Sequence, residues 1–152
     1  EDNITYHTGI IGEKLELGYY DYITAAKVTA YIHMDNKLAT LVGLNQENVD
    51  TQVAKNIAMQ VAAMDPIAID KDTVPRELVD KEYEIGKKQA KADGKPDHIL
   101  DKIAQGKVDK FMKENTLLNQ EFIRDSKKTV QQYLQEHGQD LTVTGFKRYS
   151  LK

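Results

Sequence analysis

The sequence predicts an α+β fold: an antiparallel sheet of a β-β-α-β repeat, packed against helices, with an inserted antiparallel helical (coiled-coil) hairpin. Three observations predict this fold. Apolar residues alternate with a period of two over 27–42 and again after Leu141, whereas a 3.6-residue period runs through 45–64. Residues 75–114 form two charged helical segments with thin apolar stripes.

Composition limits the class of protein. The chain has 152 residues, of which 40% are hydrophobic and 30% charged, with a formal net charge of −3. These values are typical of a globular chain, since a disordered one is less apolar. No apolar run approaches the ~18 residues that span a bilayer, and there is no basic excess to attract nucleic acid.

The absence of cysteine excludes disulfides and thiolate sites and suits a reducing compartment, so we expect a cytoplasmic protein. Because the sequence begins at Glu1 without Met, we expect a piece of a longer protein.

The first part of the chain, residues 1–26, is predicted to be a helix followed by a strand. Apolar side chains at Ile4, Ile10 and Ile11 precede Gly12, which is typical of a helix end. From Lys14 the period changes to two, which predicts a strand through Leu15, Leu17 and Tyr19 toward Ile23.

A β-hairpin and a helix are predicted next. Residues 27–33 and 38–42 read as strands, and Asp35-Asn36-Lys37 between them supplies residues that tolerate the left-handed turn conformation. Over 45–64 a helical stripe follows, with Asn45 as the expected N-cap. Asp65-Pro66 ends this helix, and 67–74 is expected to be a connector.

A helical hairpin is predicted over 75–114. Its helices, 75–92 and 97–114, flank Asp93-Gly94-Lys95-Pro96, where Gly94 can end the first helix and Pro96 can begin the second. Because both stripes are thin, we expect the hairpin to protrude from the body.

The last part of the chain is predicted to be irregular from Asn115 to Asp125, then helical over 127–137 with Asp125 or Ser126 as the cap, and finally a strand from Leu141. Gly138 follows the helix as Gly12 follows the first helix, and both strands continue with Gly-aromatic-x-x-Tyr. This echo indicates two copies of one unit. The second copy has one extra residue, Thr144, which predicts a β-bulge.

Little in the sequence supports a reactive or metal site. Both serines lack a patterned histidine, the four histidines are far apart, and no Gly-rich loop follows a strand, so we expect no catalytic residue, metal, cofactor or small-molecule substrate. The lysines of 75–114 are interleaved with acidic residues, which is typical of a solvated face and not of nucleic-acid binding. By elimination the chain reads as an interaction module. An enzyme with an unrecognised site stays open as an alternative.

An ordered series of motifs resembles the bacterial-type elongation factor Ts family. It covers nearly the whole chain. In chain order the matching motifs are Ile11-Gly12-Glu13, Ala30-Tyr31-Ile32-His33, Lys37-Leu38-Ala39-Thr40-Leu41-Val42, Ala54-Lys55-Asn56-Ile57-Ala58-Met59-Gln60-Val61-Ala62-Ala63-Met64-Asp65-Pro66, Val79-Asp80-Lys81-Glu82, Gly94-Lys95-Pro96, Gly106-Lys107-Val108 with Lys110-Phe111, Asn119-Gln120-Glu121-Phe122, Ser126-Lys127-Lys128-Thr129-Val130 and Val143-Thr144-Gly145-Phe146.

The resemblance implies part of a guanine nucleotide exchange factor that promotes GDP release by binding elongation factor Tu. It implies the end of a first core repeat over 1–26, a second repeat over 27–74 and 115–152, and the hairpin insertion over 75–114. The family's N-terminal ubiquitin-associated-like domain and its Thr-Asp-Phe-Val wedge do not occur in this sequence. We therefore expect mainly a docking and dimerisation module, with a homodimer as a further implied partner. The alternative is a helical-hairpin scaffold unrelated to translation.

The resemblance also implies five contact residues for elongation factor Tu. Ile11 and Gly12 lie at a helix end, for which core packing with a helix cap is the alternative. His33 ends a hairpin strand, where a plain surface histidine is the alternative. Ile123 and Arg124 match a docking pair, although Arg124 departs from the apolar type sometimes found there, and an ordinary loop is the alternative.

Overall fold

A computed structural model describes residues 1–151 of the chain. They form ten helices and strands with two short 3-10 turns, at Lys71–Thr73 and Leu117–Asn119. In chain order these elements are α1 (Asp2–Ile11), β1 (Lys27–Ile32), β2 (Leu38–Leu44), α2 (Thr51–Met64), α3 (Arg76–Ala92), α4 (Asp97–Asn115), β3 (Glu121–Phe122), β4 (Asp125–Thr129), α5 (Val130–His137) and β5 (Val143–Ser150). The α+β prediction with a helical hairpin is confirmed, while coiled-coil packing stays a prediction.

The main sheet has three antiparallel strands in the order β1-β2-β5. Helix α2 lies against one face of it, where the side chains of Thr40, Val42 and Leu44 alternate inward along β2. The Thr40 hydroxyl donates to the Ala58 carbonyl over 2.9 Å, so the sheet is also hydrogen-bonded to the helix. Ile57 is fully buried in this layer, and burying a side chain of that size contributes about 1.5–3 kcal/mol.

Two local predictions for the sheet are confirmed. Asn36 adopts φ 56° in the β1–β2 turn, the left-handed conformation that asparagine tolerates. In the β2–β5 pairing, Gly43 faces Gly145 and Leu44 faces Val143, so Thr144 is left without a partner and forms the predicted bulge.

Helices α3 and α4 form the predicted antiparallel hairpin. They join through residues 93–96, where Gly94 has φ 72°. The buried side of α3 consists of Gly86 and Ala90, so the contact between the helices depends on small residues. A Cβ placed on Gly86 would lie 3.2 Å from the Ala104 Cα, which shows how closely the backbones approach.

Both ends of the helical hairpin meet at one point of the core. Ala68 and Thr116 form a parallel bridge. The Ile67 N–H donates to the Asn115 carbonyl and the Leu117 N–H donates to the Ala68 carbonyl, each over 2.9 Å. Chain segments 48 residues apart in sequence are therefore held side by side where the hairpin leaves and rejoins the body.

The predicted strand through Leu15, Leu17 and Tyr19 is wrong. Residues 13–26 form neither helix nor strand, because no backbone of residues 1–151 hydrogen-bonds to them as a neighbouring strand would. Side chains hold this segment against the sheet face opposite α2. The Ile23 side chain lies over Gly43 and Gly145, whose missing side chains leave room for it.

Two predicted helix starts are also wrong. Helix α2 begins at Thr51, because the Asp50 carboxylate accepts from the Gln52 and Val53 N–H groups and so caps it. The expected cap, Asn45, instead bonds the backbone of Asp140 and Thr142.

Helix α5 begins at Val130 and not at Lys127. Thr129 caps it in a reciprocal capping box with Gln132, whereas the expected caps, Asp125 and Ser126, lie in β4. The prediction of an irregular stretch over Asn115–Asp125 is wrong, because it contains a 3-10 turn, β3 and the start of β4. Gly138 follows α5 in extended conformation (φ −178°), unlike the left-handed Gly12.

Candidate partner-binding surface

The five predicted contact residues lie on three separate exposed turns. Ile11 and Gly12 end α1, His33 follows β1, and Ile123 with Arg124 forms the connection between β3 and β4. These side chains project from different elements, so an extended partner surface would be needed to contact all three turns.

At the end of α1 the backbone explains the glycine and exposes the isoleucine. Gly12 has φ 76° and its N–H donates to the Thr8 carbonyl over 2.9 Å, so its role as a helix cap is confirmed. Ile11 is 55% exposed, and core packing is therefore wrong as its explanation. Ile10, at 63% exposure, extends the same apolar patch.

His33 is exposed and held at the base of the β1–β2 turn. The backbone N–H of His33 donates to the Leu38 carbonyl over 2.8 Å, and the backbone carbonyl of His33 accepts from the Asn36 N–H over 2.9 Å. The Tyr31 hydroxyl lies 3.0 Å from the imidazole Nδ1. Because the Tyr31 ring packs against the core, this contact orients the imidazole of an otherwise exposed residue.

Ile123 and Arg124 form a two-residue turn that is anchored from α2. Phe122 pairs with Asp125 across the turn, while Ile123 stays 41% exposed. The Ile123 N–H donates to the Gln60 Oε1 over 2.9 Å, and the Arg124 Nη1 donates to the Asn56 Oδ1 over 2.6 Å. Buried side chains therefore fix this turn, while its contact with a partner stays a prediction.

An open groove lies on the sheet face opposite α2. It has a volume of about 560 Å³ and is lined by segment 13–26, the outer face of β1 and β2, and the end of β5. Its walls are largely apolar, with Tyr19 stacked on Tyr149 at 5.0 Å between ring centroids and Ile32 62% exposed. An exposed apolar surface of this kind is typical of a protein contact.

Asp21 is the centre of a small polar cluster in the groove. Lys147 and Tyr149 both contact the Asp21 carboxylate, at 2.9 and 2.7 Å. The hydrogen bond from Lys147, followed by that from Tyr149, lowers the pKa of Asp21 to about 2. The hydrogen bond between Tyr149 and Asp21 also raises the pKa of the Tyr149 hydroxyl. This cluster ties segment 13–26 to β5.

Some residues that shape these turns were not singled out from the sequence. All three, Asn56, Gln60 and Tyr31, lie within motifs of the family resemblance, and Tyr31 also lies in a predicted strand. The available signal was polarity, since two amides one helical turn apart interrupt the apolar face of a buried helix. Met34, 92% exposed beside His33, gave no signal of its own.

Two further observations concern the described part of the chain. Residues 1–151 contain no group of three or more His, Asp or Glu side chains that could hold a metal ion. No helix among these residues combines the length and apolar character that crossing a membrane requires.

A small sheet backed by helices, with an inserted helical hairpin and exposed, well-anchored turns, is typical of an α+β protein-binding module. Comparison with known proteins makes this class specific. The sequence model of a family described as Elongation factor TS matches residues 1–152. The chain belongs to the elongation factor Ts family, and a scaffold unrelated to translation is wrong as an interpretation.

Individual relatives agree with this family. Elongation factor Ts of Porphyromonas gingivalis is 49% identical over 150 residues, which are 99% of this chain and 54% of that protein. Elongation factor Ts of Azobacteroides pseudotrichonymphae is 49% identical over 148 residues, 97% of this chain and 54% of that protein. The protein of the same name from Flavobacterium psychrophilum is 42% identical over 151 residues, which are 99% of this chain and 55% of that protein. The chain thus spans about half the length of the curated relatives it matches.

Proposed function

We propose that this chain docks onto elongation factor Tu in the cytoplasm and is part of its guanine nucleotide exchange factor, without catalytic residues of its own. The observation that carries the proposal is the family match over residues 1–152. The exposure of Ile11, His33, Ile123 and Arg124 supports it, since each is accessible to a partner.

Exchange of this kind follows from linkage and needs no reactive group. A protein that binds nucleotide-free elongation factor Tu more tightly than the GDP form weakens GDP binding by the same factor. Because Thr-Asp-Phe-Val does not occur in the sequence, we propose that this chain supplies docking surface and accelerates GDP release only weakly.

Calorimetric titration of the chain into nucleotide-free elongation factor Tu tests the proposal. We expect saturable binding that GDP weakens. The pair Ile123→Ala and Arg124→Ala should lower the affinity, because both side chains lie on the proposed docking turn. No binding, or binding that GDP leaves unchanged, would contradict the proposal.

Matched controls lie on the helical hairpin. Ile85 is 45% exposed, close to the 41% of Ile123, and Arg76 is exposed at the start of α3. The pair Ile85→Ala and Arg76→Ala should leave the affinity unchanged. An equal loss in both pairs would contradict a specific contact at the docking turn.

We also propose a homodimer, because the outer face of the sheet leaves apolar side chains exposed. Val28 and Ile32 of β1 point away from α2 and are 42% and 62% exposed. Covering such a face removes apolar surface from water. Sedimentation velocity should show a dimer whose population falls in Val28→Lys, and a monomer at all concentrations would contradict this assignment.

A further inference from the structure

Helix α2 buries two side-chain amides one turn apart, Asn56 and Gln60. Their exposed fractions are 6% and 0%, and they lie beside the apolar residues Ile57 and Val61. A buried amide is costly unless it is hydrogen-bonded, so its partners show what it stabilises. Both amides have partners on the connection between β3 and β4, the turn that carries Ile123 and Arg124.

Gln60 holds the backbone on both sides of Phe122. Its Oε1 accepts from the Ile123 N–H over 2.9 Å, and its Nε2 donates to the Glu121 carbonyl over 3.1 Å. Nε2 also donates to the Gln120 Oε1 over 3.2 Å. The Gln60 amide thus pairs with the backbone of this turn through one donor and one acceptor, as a neighbouring strand would. These two hydrogen bonds fix the direction in which the Ile123 side chain projects.

Asn56 holds the guanidinium of Arg124. Its Oδ1 accepts from the Arg124 Nη1 over 2.6 Å and from the Gln52 Nε2 over 2.9 Å. Its Nδ2 donates to the Tyr133 hydroxyl over 2.8 Å. Turning the amide over would place NH₂ against two donors, so these neighbours fix its orientation.

Asn56 thus orders the Arg124 side chain and leaves most of its N–H donors available to a partner. A guanidinium has five N–H donors, and the contact with Asn56 engages one nitrogen of an otherwise exposed side chain. An unrestrained arginine loses rotamer freedom when it is fixed on binding. An arginine fixed beforehand loses less of this freedom, which favours binding.

We infer that Asn56 and Gln60 are positioning residues for partner binding, acting through Arg124 and Ile123. The inference rests on the proposed function, since it takes elongation factor Tu as the partner. It adds that the docking turn is ordered before the partner arrives, by two amides that the partner does not touch.

Double-mutant cycles in affinity for nucleotide-free elongation factor Tu test this inference. Asn56→Leu should lower the affinity roughly five- to tenfold, which lies within the range of the net contribution of a single hydrogen bond. The same substitution in an Arg124→Ala background should cause no further loss. Asn56→Asp should retain the affinity, because a carboxylate still accepts from Arg124 and the Tyr133 hydroxyl can donate to it.

The second cycle pairs Gln60→Met with Ile123→Ala and should show the same lack of additivity. If Gln60→Met fails to fold, the Asn56 cycle decides alone. General damage to the fold would lower affinity in the Arg124→Ala background as well, so additive losses would overturn the inference.

Failure of the inference differs from failure of the proposed function. If Arg124→Ala and Ile123→Ala leave the affinity unchanged, the docking turn itself is wrongly assigned. If they lower it but Asn56→Leu and Gln60→Met do not, only the positioning role is wrong.

Discussion

The Tyr149 hydroxyl donates a hydrogen bond to the Asp21 carboxylate over 2.7 Å, which joins residues 128 positions apart in sequence. Lys147 contacts the same carboxylate oxygen at 2.9 Å. Through these contacts β5 holds segment 13–26, which has no strand partner among residues 1–151.

Asp21→Asn should release segment 13–26 from the sheet. The substitution removes the charge that Lys147 contacts and weakens the hydrogen bond from Tyr149. Chymotrypsin should then cleave after Tyr19, Tyr20 and Tyr22 several-fold faster than in the unchanged chain. Glu16→Gln is the matched control, because Glu16 pairs with Lys14 inside the same segment. Equal cleavage rates in both variants would contradict the role of Asp21.

The same contact predicts a dependence on acid. Hydrogen bonds from Lys147 and Tyr149 lower the pKa of Asp21 from 3.8 to about 2. Because the pKa of Asp21 is lower when the segment is attached than when it is detached, the ionised carboxylate stabilises the attached state. This stabilisation is complete above the pKa of the detached state and is lost as the pH falls toward the pKa of the attached state. Between pH 4 and 2 the segment should therefore detach progressively. Carboxyl ¹³C shifts of Asp21 measure the titration, and a midpoint near 3.8 would contradict it.

The close approach of α3 and α4 predicts opposite effects for two glycines. Gly106→Ala should raise the free energy of unfolding by about 0.5–1 kcal/mol, because nothing lies within 4 Å of the new Cβ. Gly86→Ala should lower it by about 1–3 kcal/mol, because the Cβ would press on the Ala104 backbone at 3.2 Å. Urea unfolding followed by circular dichroism measures both. Equal stabilisation by the two substitutions would show that the helices separate freely.

The start of α5 predicts which hydroxyl stabilises that helix. Thr129→Ala should lower the free energy of unfolding by about 0.5–2 kcal/mol, because it removes the acceptor for the Gln132 N–H. Ser126→Ala, at a position expected from sequence to cap the helix, should have little effect because Ser126 lies in β4. Thermal unfolding distinguishes the two, and a larger loss at Ser126 would reverse the assignment.

The proposed contact at His33 predicts a loss of affinity on truncation. His33→Ala should weaken binding to nucleotide-free elongation factor Tu several-fold, in the range of ~1 kcal/mol for a hydrogen bond. Tyr31→Phe should give a smaller loss, because the ring still packs on the core while the hydroxyl beside Nδ1 is removed. His98→Ala, an exposed histidine on α4, is the control. Equal affinities of all three variants would contradict contact at His33.

The sequence predicted elements best where local chemistry decides the structure. Gly12, Asn36 and Gly94 adopt the left-handed conformations expected of their residue types, and the bulge at Thr144 follows from one inserted residue. The helices of the hairpin are right to within a residue at each end, because proline and glycine punctuate them.

Predictions were wrong where a distant partner decides the structure. Leu15, Leu17 and Tyr19 alternate as a strand would, but pairing depends on a second backbone and not on the pattern. Asp50 displaced Asn45 as a cap because Asn45 bonds to residues 140 and 142 across the fold. The anchoring of Arg124 by Asn56 joins positions 68 apart, which no local signal reveals.

The bridge between Ala68 and Thr116 holds the two ends of the inserted hairpin next to each other. Because both ends of the insertion are already adjacent, a short turn could replace residues 71–114 with little change in loop-closure entropy. The body could equally accept a longer or shorter hairpin, since each added helical turn extends away from the bridge. A change in hairpin length should therefore alter the stability of the rest of the chain only slightly. Evolution or protein engineering can thus change how far the hairpin extends at this one position.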